Sequence, residues 1–132
     1  LLGASGAEVE IETNGSVPLK NIVSLAPRPA VTADYKLPSS GMEKYMLTGN
    51  FSYLTLRDAV KFVVGDKCDL ARAEEIIKGY GLIDRCRIYF SPVFGKIKPE
   101  EIAEFMKERK LNGVRLQLQL HKIIWEPDMR GV

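Results

Sequence analysis

Residues 60–91 read VKFVVGDKCDLARAEEIIKGYGLIDRCRIYFS and decide the class of fold. Residues 60–64 and 87–91 are rich in β-branched and aromatic side chains and predict two strands. Between them, apolar residues recur at helical spacing from Asp69, which we interpret as the N-cap, to a stop at Gly79. The apolar positions of this helix are Leu70, Ala73, Ile76, Ile77 and Tyr80. The stretch therefore predicts strand, helix and strand, the repeating unit of α/β proteins.

The same alternation continues toward the end of the chain. A second helix is predicted from Pro99, with Glu100 in the first turn, where the helix dipole favours negative charge, and a stop at Asn112-Gly113. Its apolar stripe is Ile102, Phe105, Met106 and Leu111, and residues 114–121 then alternate as the longest strand. Upstream, the predicted elements are two strands and a short third helix, over residues 8–12, 31–36 and 54–59. This order predicts an α/β fold with a parallel sheet.

Composition bounds the chain to one small globular domain. It has 132 residues, 45% hydrophobic and 27% charged, and a formal net charge of +2, which leaves no electrostatic footprint for nucleic acid. No apolar run approaches the ~18 residues of a membrane span. Cys68 and Cys86 are too few for a disulfide framework or a closed zinc site, and His121 is the single histidine. Because the sequence begins Leu-Leu-Gly without a Met, we expect it to be part of a longer protein.

Several predicted strands are polar on one face, although parallel strands are normally buried on both faces. The polar positions are Glu8, Glu10 and Glu12 on the first strand, Thr32, Asp34 and Lys36 on the second, and Arg115, Gln117, Gln119 and His121 on the last. Helices need an apolar surface to cover, so the opposite faces should pack against them. The pattern favours a closed or partly closed βα barrel with polar contents in its lumen. The alternative is an open sheet with one solvated face.

Ligand sites of βα folds lie at the carboxyl ends of the strands. Polar residues at or just past those ends are Glu12, Asp34, Lys36, Ser91 and His121, and we expect them to converge on one site. Simpler interpretations stay open: an ordinary turn after Glu12, a structural role for His121, and incidental thiols at the two cysteines. Residues 24–29 carry two prolines and form either an extended segment that pairs with a planar base or a stiff connection. Residues 38–50 lack periodicity and form either a functional loop or a plain surface connection.

Six phrases occur in order along the chain. They are Ile-Glu-Thr-Asn-Gly, Ala-Pro-Arg-Pro, Asp-Tyr-Lys-Leu-Pro-Ser-Ser-Gly-Met, Phe-Ser-Pro-Val-Phe-Gly, Leu-Gln-Leu-His-Lys-Ile-Ile-Trp and a terminal Arg-Gly-Val. Over residues 9–132 the sequence resembles the C-terminal half of 7-carboxy-7-deazaguanine synthases, radical S-adenosylmethionine enzymes of queuosine and deazapurine biosynthesis. Glu-Thr-Asn-Gly and Asp-x-Lys are shared more widely, including by activases of glycyl-radical enzymes.

The resemblance implies the C-terminal portion of a partial (βα) TIM-like barrel of the radical S-adenosylmethionine type. Residues 1–132 would be the C-terminal half of that core domain. The family uses S-adenosylmethionine, Mg²⁺ and a 4Fe-4S cluster, which it ligates with a Cys-x3-Cys-x2-Cys motif near its N-terminus. Cys68 and Cys86 do not match that motif. We therefore expect the cluster-binding half to be absent from this chain.

The resemblance also implies residue roles. A Ser-Pro-Lys segment that contacts S-adenosylmethionine in the family matches Ala26, Pro27 and Arg28, where only backbone contacts transfer because the outer two residues differ. The substrate, 6-carboxytetrahydropterin, would be contacted by Glu12, Lys36, Gln119, His121 and the terminal carboxylate of Val132. The alternation of polar and apolar residues along the strands points to Glu12 and His121 independently of the resemblance.

Three functions are compatible with these residues. The leading hypothesis is a lyase that forms 7-carboxy-7-deazaguanine from the pterin with loss of ammonia, and in which this chain alone is inactive. The second is a radical activase of a glycyl-radical enzyme, and the third is a non-catalytic module that only binds ligand. For the lyase we expect a cytoplasmic homodimer that takes a small pterin and contacts neither nucleic acid nor membrane.

Overall fold

The computed structural model describes residues 9–118 and arranges them as one sheet with helices on one face. The strands are β1 Glu10–Asn14, β2 Ala30–Lys36, β3 Ala59–Val64, β4 Arg87–Pro92 and β5 Val114–Leu116, and the helices are α1 Lys20–Val23, α2 Lys67–Gly79 and α3 Pro99–Glu108. The strand order is β1-β2-β3-β4-β5 and every neighbouring pair is parallel, so all carboxyl ends meet at one edge. The α/β class is confirmed, whereas the larger barrel stays a prediction. No helix among residues 9–118 is long and apolar enough to cross a membrane.

An aromatic row holds the centre of the core. Tyr35, Phe62 and Phe90 are register partners on β2, β3 and β4, with ring centroids 5.4 and 6.1 Å apart. Helix α2 buries the predicted positions Leu70, Ala73, Ile76 and Ile77 in the same cluster, but Tyr80 is 44% exposed. Because the helices cover this face, the polar side chains of the strands must point to the other one.

Helix α2 begins earlier than the sequence predicts. Asp66 is its N-cap, and the Asp66 carboxylate accepts a hydrogen bond from the Asp69 amide at 2.8 Å. The N-cap assignment of Asp69 is therefore wrong. Asp69 is fully buried in the first turn, where its carboxylate accepts from the amides of Gly65 at 2.7 Å and Ser39 at 2.9 Å. It ties the loop after β2 to the start of α2, a contact between residues distant in sequence.

Helix α3 begins at Pro99 and buries Ile102, as predicted. It ends at Glu108 rather than at Asn112-Gly113, because Lys110 adopts a left-handed φ of 54° that no helix can continue through. Leu111 is nevertheless buried, as expected. The predicted helix over residues 54–59 is wrong: the chain there makes a tight turn into β3, closed by a hydrogen bond from the Asp58 amide to the Thr55 carbonyl at 2.9 Å.

Residues 38–53, which we call the cover segment, connect β2 to β3 and bury Asn50 and Phe51. They form three short 3₁₀ turns, Pro38–Ser40, Glu43–Tyr45 and Thr48–Tyr53. Phe51 is buried, with its ring centroid 6.1 Å from that of Tyr35. The Tyr35 hydroxyl and the Arg72 Nε both donate to Glu43 Oε2 at 2.8 Å. Burial raises the pKa of Tyr35, and the Glu43 carboxylate raises it further, so the hydroxyl stays a donor.

Candidate functional site

The face opposite the helices, which we call the polar face, carries the polar side chains of all five strands. Its middle row, in register, is Asn14, Asp34, Lys61, Tyr89 and Arg115. One row toward the amino edge lie Glu12, Thr32, Ala59 and Arg87, and one row toward the carboxyl edge lie Lys36, Val63 and Ser91. The predicted division into an apolar helix-covered face and a polar face is therefore confirmed for the described strands.

The predicted site residues do not all lie together. Glu12 and Lys36 share the polar face, but Lys36 is four residues beyond Glu12's register partner Thr32, which is about 13 Å along the strand. Ala26, Pro27 and Arg28 precede β2 and so lie at the opposite, amino edge of the sheet. The remaining predicted residues, Gln119, His121 and Val132, lie outside the described residues.

An ion cluster at Asp34 is the chief polar feature of this face. The Lys36 Nζ lies 3.5 Å from Asp34 Oδ2, and the Lys61 Nζ lies 3.4 Å from Asp34 Oδ1. Sequence analysis does not single out Lys61, because this residue lies within the otherwise apolar residues 60–64, which predict only a strand. The signal that could have found Lys61 is the alternation of side chains along a strand. Its neighbours Val60 and Phe62 lie in the core, so Lys61 must point to the polar face.

The Glu-Thr-Asn-Gly turn is anchored within the protein. The Gly15 amide donates to the Asp34 carbonyl at 2.8 Å, and the Gly15 carbonyl accepts from the Leu47 amide at 2.8 Å. The next amide, that of Ser16, donates to Asn14 Oδ1 at 2.9 Å. The amide and carbonyl of Gly15 therefore hold the end of β1 against β2 and the cover segment, and the Ser16 amide is used within the turn.

Replacing Gly15 with alanine is expected to destabilise the protein by about 1–3 kcal/mol, because overpacking at a rigid contact forces backbone shifts. A Cβ at Gly15 would lie 2.9 Å from the Asp34 carbonyl oxygen and 2.8 Å from the Met46 sulfur. The matched control is Gly49→Ala, where a Cβ meets nothing within 4 Å. Urea denaturation followed by circular dichroism measures both, and equal midpoints for the two variants would contradict the close approach.

Arg28 is engaged by a buried carboxylate. Its guanidinium donates to Asp58 Oδ1 at 3.1 Å and Oδ2 at 2.7 Å, a bidentate pair at the amino edge. Burial of Asp58 would raise its pKa, but hydrogen bonds from Arg28 and from the amides of Val31 and Thr55 outweigh burial and hold the pKa below its usual value. The Arg28 side chain is therefore part of the scaffold here.

The two thiols do not form a metal centre. Cys68 is exposed in the first turn of α2, after the carboxyl end of β3, whereas Cys86 is buried just before the amino end of β4. They therefore lie at opposite edges of the sheet. Burial raises the pKa of Cys86 to about 11, which disfavours a thiolate ligand. Among residues 9–118, no three His, Cys, Asp or Glu side chains are grouped to hold a metal, so these residues do not fit an iron–sulfur cluster.

Comparison with known proteins gives a consistent set of relatives, although no family model matches the chain. A protein of Clostridium acetobutylicum named 7-carboxy-7-deazaguanine synthase is 53% identical over 128 residues, or 97% of this chain. The resemblance to 7-carboxy-7-deazaguanine synthases is confirmed. Synthases of that name from Chlorobaculum tepidum and Leptospira interrogans are 41% and 40% identical over 94% and 92% of the chain. The chain spans 58%, 56% and 50% of the lengths of these three synthases, little more than half.

Proposed function

We propose that this chain is the substrate-binding half of a 7-carboxy-7-deazaguanine synthase of the deazapurine pathway. The enzyme would be a radical S-adenosylmethionine lyase that converts 6-carboxy-5,6,7,8-tetrahydropterin to 7-carboxy-7-deazaguanine with loss of ammonia. The observation that carries the proposal is 53% identity over 97% of the chain to a protein of that name. Identity at this level, extending over nearly every element, favours a shared reaction and not only a shared fold.

The parts that generate the radical would lie elsewhere in the enzyme. This chain spans little more than half of the related synthases, and its described residues do not fit an iron–sulfur cluster. When bound, the cluster and S-adenosylmethionine supply the radical chemistry of such an enzyme. The described residues of this chain would instead bind and orient the pterin.

The polar face supports that role. Strand β1 pairs only with β2 among the described strands, so its free edge can continue into further strands supplied by the rest of the enzyme. Curved into a barrel, the polar face would line the lumen and form one wall of the pterin site. Glu12 is exposed on this wall, and its carboxylate is suited to accept hydrogen bonds from the amino and ring N–H groups of a pterin. We further propose that the full-length enzyme forms a homodimer.

Formation of 7-carboxy-7-deazaguanine by the full-length protein, reconstituted with iron and sulfide, tests the proposal. Replacing Glu12 with glutamine is expected to lower kcat/KM roughly tenfold to hundredfold, the usual effect of losing a charged hydrogen-bond acceptor. Glu10→Gln is the matched control, since Glu10 lies on the same face of the same strand, one row farther from the carboxyl edge, and should change kcat/KM little.

The outcomes separate the candidate functions. Production of a glycyl radical on a partner protein, without 7-carboxy-7-deazaguanine, would overturn the lyase in favour of an activase. Product formation by the 132-residue chain alone would overturn the division into halves. Equal losses in the Glu12→Gln and Glu10→Gln variants would remove Glu12 from the pterin site while leaving the reaction itself in place.

A further inference from the structure

Two lysines on the polar face share one carboxylate. The Lys61 ammonium contacts Asp34 Oδ1 and the Lys36 ammonium contacts Asp34 Oδ2, at 3.4 and 3.5 Å. Charge-assisted N–H···O hydrogen bonds are shorter, about 2.7–2.9 Å, so neither ammonium is tightly bonded to Asp34. Among residues 9–118, Asp34 is the only acidic partner of either lysine, and each ammonium carries three donors.

This arrangement leaves an excess of positive charge on a half-buried surface. Two ammonium groups against one carboxylate keep one positive charge, and Arg115 adds another at the β5 end of the middle row. The Lys61 side chain is only 20% exposed, on the central strand of the sheet. A partly desolvated cation is costly to hold with an incomplete set of acceptors, so this position favours an anion supplied by a ligand.

We propose that Lys61 and Lys36 form a carboxylate-binding site on the polar face, in which Asp34 positions both ammonium groups. The inference rests on the proposed function, and it assigns the 6-carboxylate of the pterin to this site. Lys61 is the new member of the site and the specificity determinant, because it recognises the carboxylate rather than the ring.

The geometry divides the polar face between two kinds of contact. Glu12 lies on β1, two strands and one row from Lys61, which places their Cα atoms about 12 Å apart. Strand β1 carries Glu10 and Glu12, whereas β2 to β5 carry the cations Lys36, Lys61, Arg87 and Arg115 against the single carboxylate of Asp34. A pterin with N–H donors at one end and a carboxylate at the other matches this distribution of charge.

Two probes that differ only in the carboxylate test the inference: pterin-6-carboxylic acid and unsubstituted pterin. Their binding to the full-length protein is measured by quenching of pterin fluorescence. Wild-type protein should bind the carboxylic acid more tightly. Lys61→Met should weaken binding of pterin-6-carboxylic acid roughly tenfold or more, the effect of one charge-assisted hydrogen bond, and leave pterin binding unchanged. Lys61→Arg should retain the preference, and Lys107→Met, an exposed lysine on α3, should change neither Kd.

Each result decides the question. Equal weakening of both probes in Lys61→Met, or loss of the preference in Lys61→Arg while pterin still binds, would overturn the carboxylate site and leave the lyase proposal standing. Failure of the wild-type protein to bind either probe would overturn both the carboxylate site and the lyase proposal. If Lys61→Met does not fold, the Lys61→Arg variant and the salt dependence of the wild-type preference decide, because an ionic contact must weaken as salt rises.

Discussion

Replacing Asp58 with alanine is expected to lower the free energy of unfolding by about 3–5 kcal/mol, the usual cost of breaking a buried ion pair by removing one partner. Asp58 is fully buried and accepts from both Arg28 guanidinium nitrogens. It also accepts from the amides of Val31 at 2.9 Å and Thr55 at 2.7 Å. Its loss leaves a half-buried guanidinium and two amides without their acceptor, and each of these groups is costly to leave unmatched.

Urea denaturation at neutral pH, followed by circular dichroism, measures this effect. The control is Asp84→Ala, an exposed carboxylate at the same amino edge, which should change the free energy of unfolding by no more than about 0.5 kcal/mol. Asp58→Asn should fall between them, because the amide oxygen can still accept from one neighbour while the charge is gone. If Asp58→Ala and Asp84→Ala lower the free energy of unfolding equally, the contacts of Asp58 with Arg28, Val31 and Thr55 do not stabilise the fold as expected.

Replacing Asp69 with alanine is expected to cost about 2–4 kcal/mol, and Asp66→Ala only about 1 kcal/mol, although the two residues lie in the same turn of α2. Asp69 is fully buried and accepts from the Gly65 amide, the Ser39 amide and the Ser39 hydroxyl. Asp66 is an exposed N-cap whose carboxylate accepts from one amide of the first turn. The difference separates a tertiary tether from a local cap.

Thermal and urea unfolding compare the two variants, and amide hydrogen exchange adds a local readout. In Asp69→Ala, the amides of Gly65 and Ser39 should exchange faster than in wild type, since both lose a buried acceptor. In Asp66→Ala they should be unchanged. A larger loss of stability for Asp66→Ala than for Asp69→Ala would restore the simpler assignment of helix capping.

The elements that the sequence predicts correctly are those in which local pattern and tertiary packing agree. Leu70 and Ile77 are buried because a helix with apolar residues at that spacing presents one stripe, whatever sheet it covers. Pro99 begins α3 because proline lacks the N–H that a first-turn residue does not need. For the same reason the polar face follows from alternation in β2, where Asp34 and Lys36 must lie opposite Tyr35.

The errors arise where a distant partner overrides a local signal. Asp69 is a residue type that often caps helices. Its carboxylate, however, accepts a hydrogen bond from the Ser39 amide, and Asp66 caps the helix instead. Residues 38–50 show no periodicity, yet they lead directly into Phe51, which is buried because Tyr35 offers it an aromatic surface. Lys61 looks like an interruption of an apolar strand until the register with Asp34 is known.

The sequence by itself therefore determined the α/β class, the two faces of the sheet and the resemblance to 7-carboxy-7-deazaguanine synthases, because each depends on residue type and spacing along one segment. Only the tertiary structure decided which charges meet. It paired Arg28 with Asp58 at the amino edge, and it placed Lys36 and Lys61 on either side of Asp34. Those contacts join residues on separate strands, so they depend on strand order and register, which no single stretch of sequence encodes.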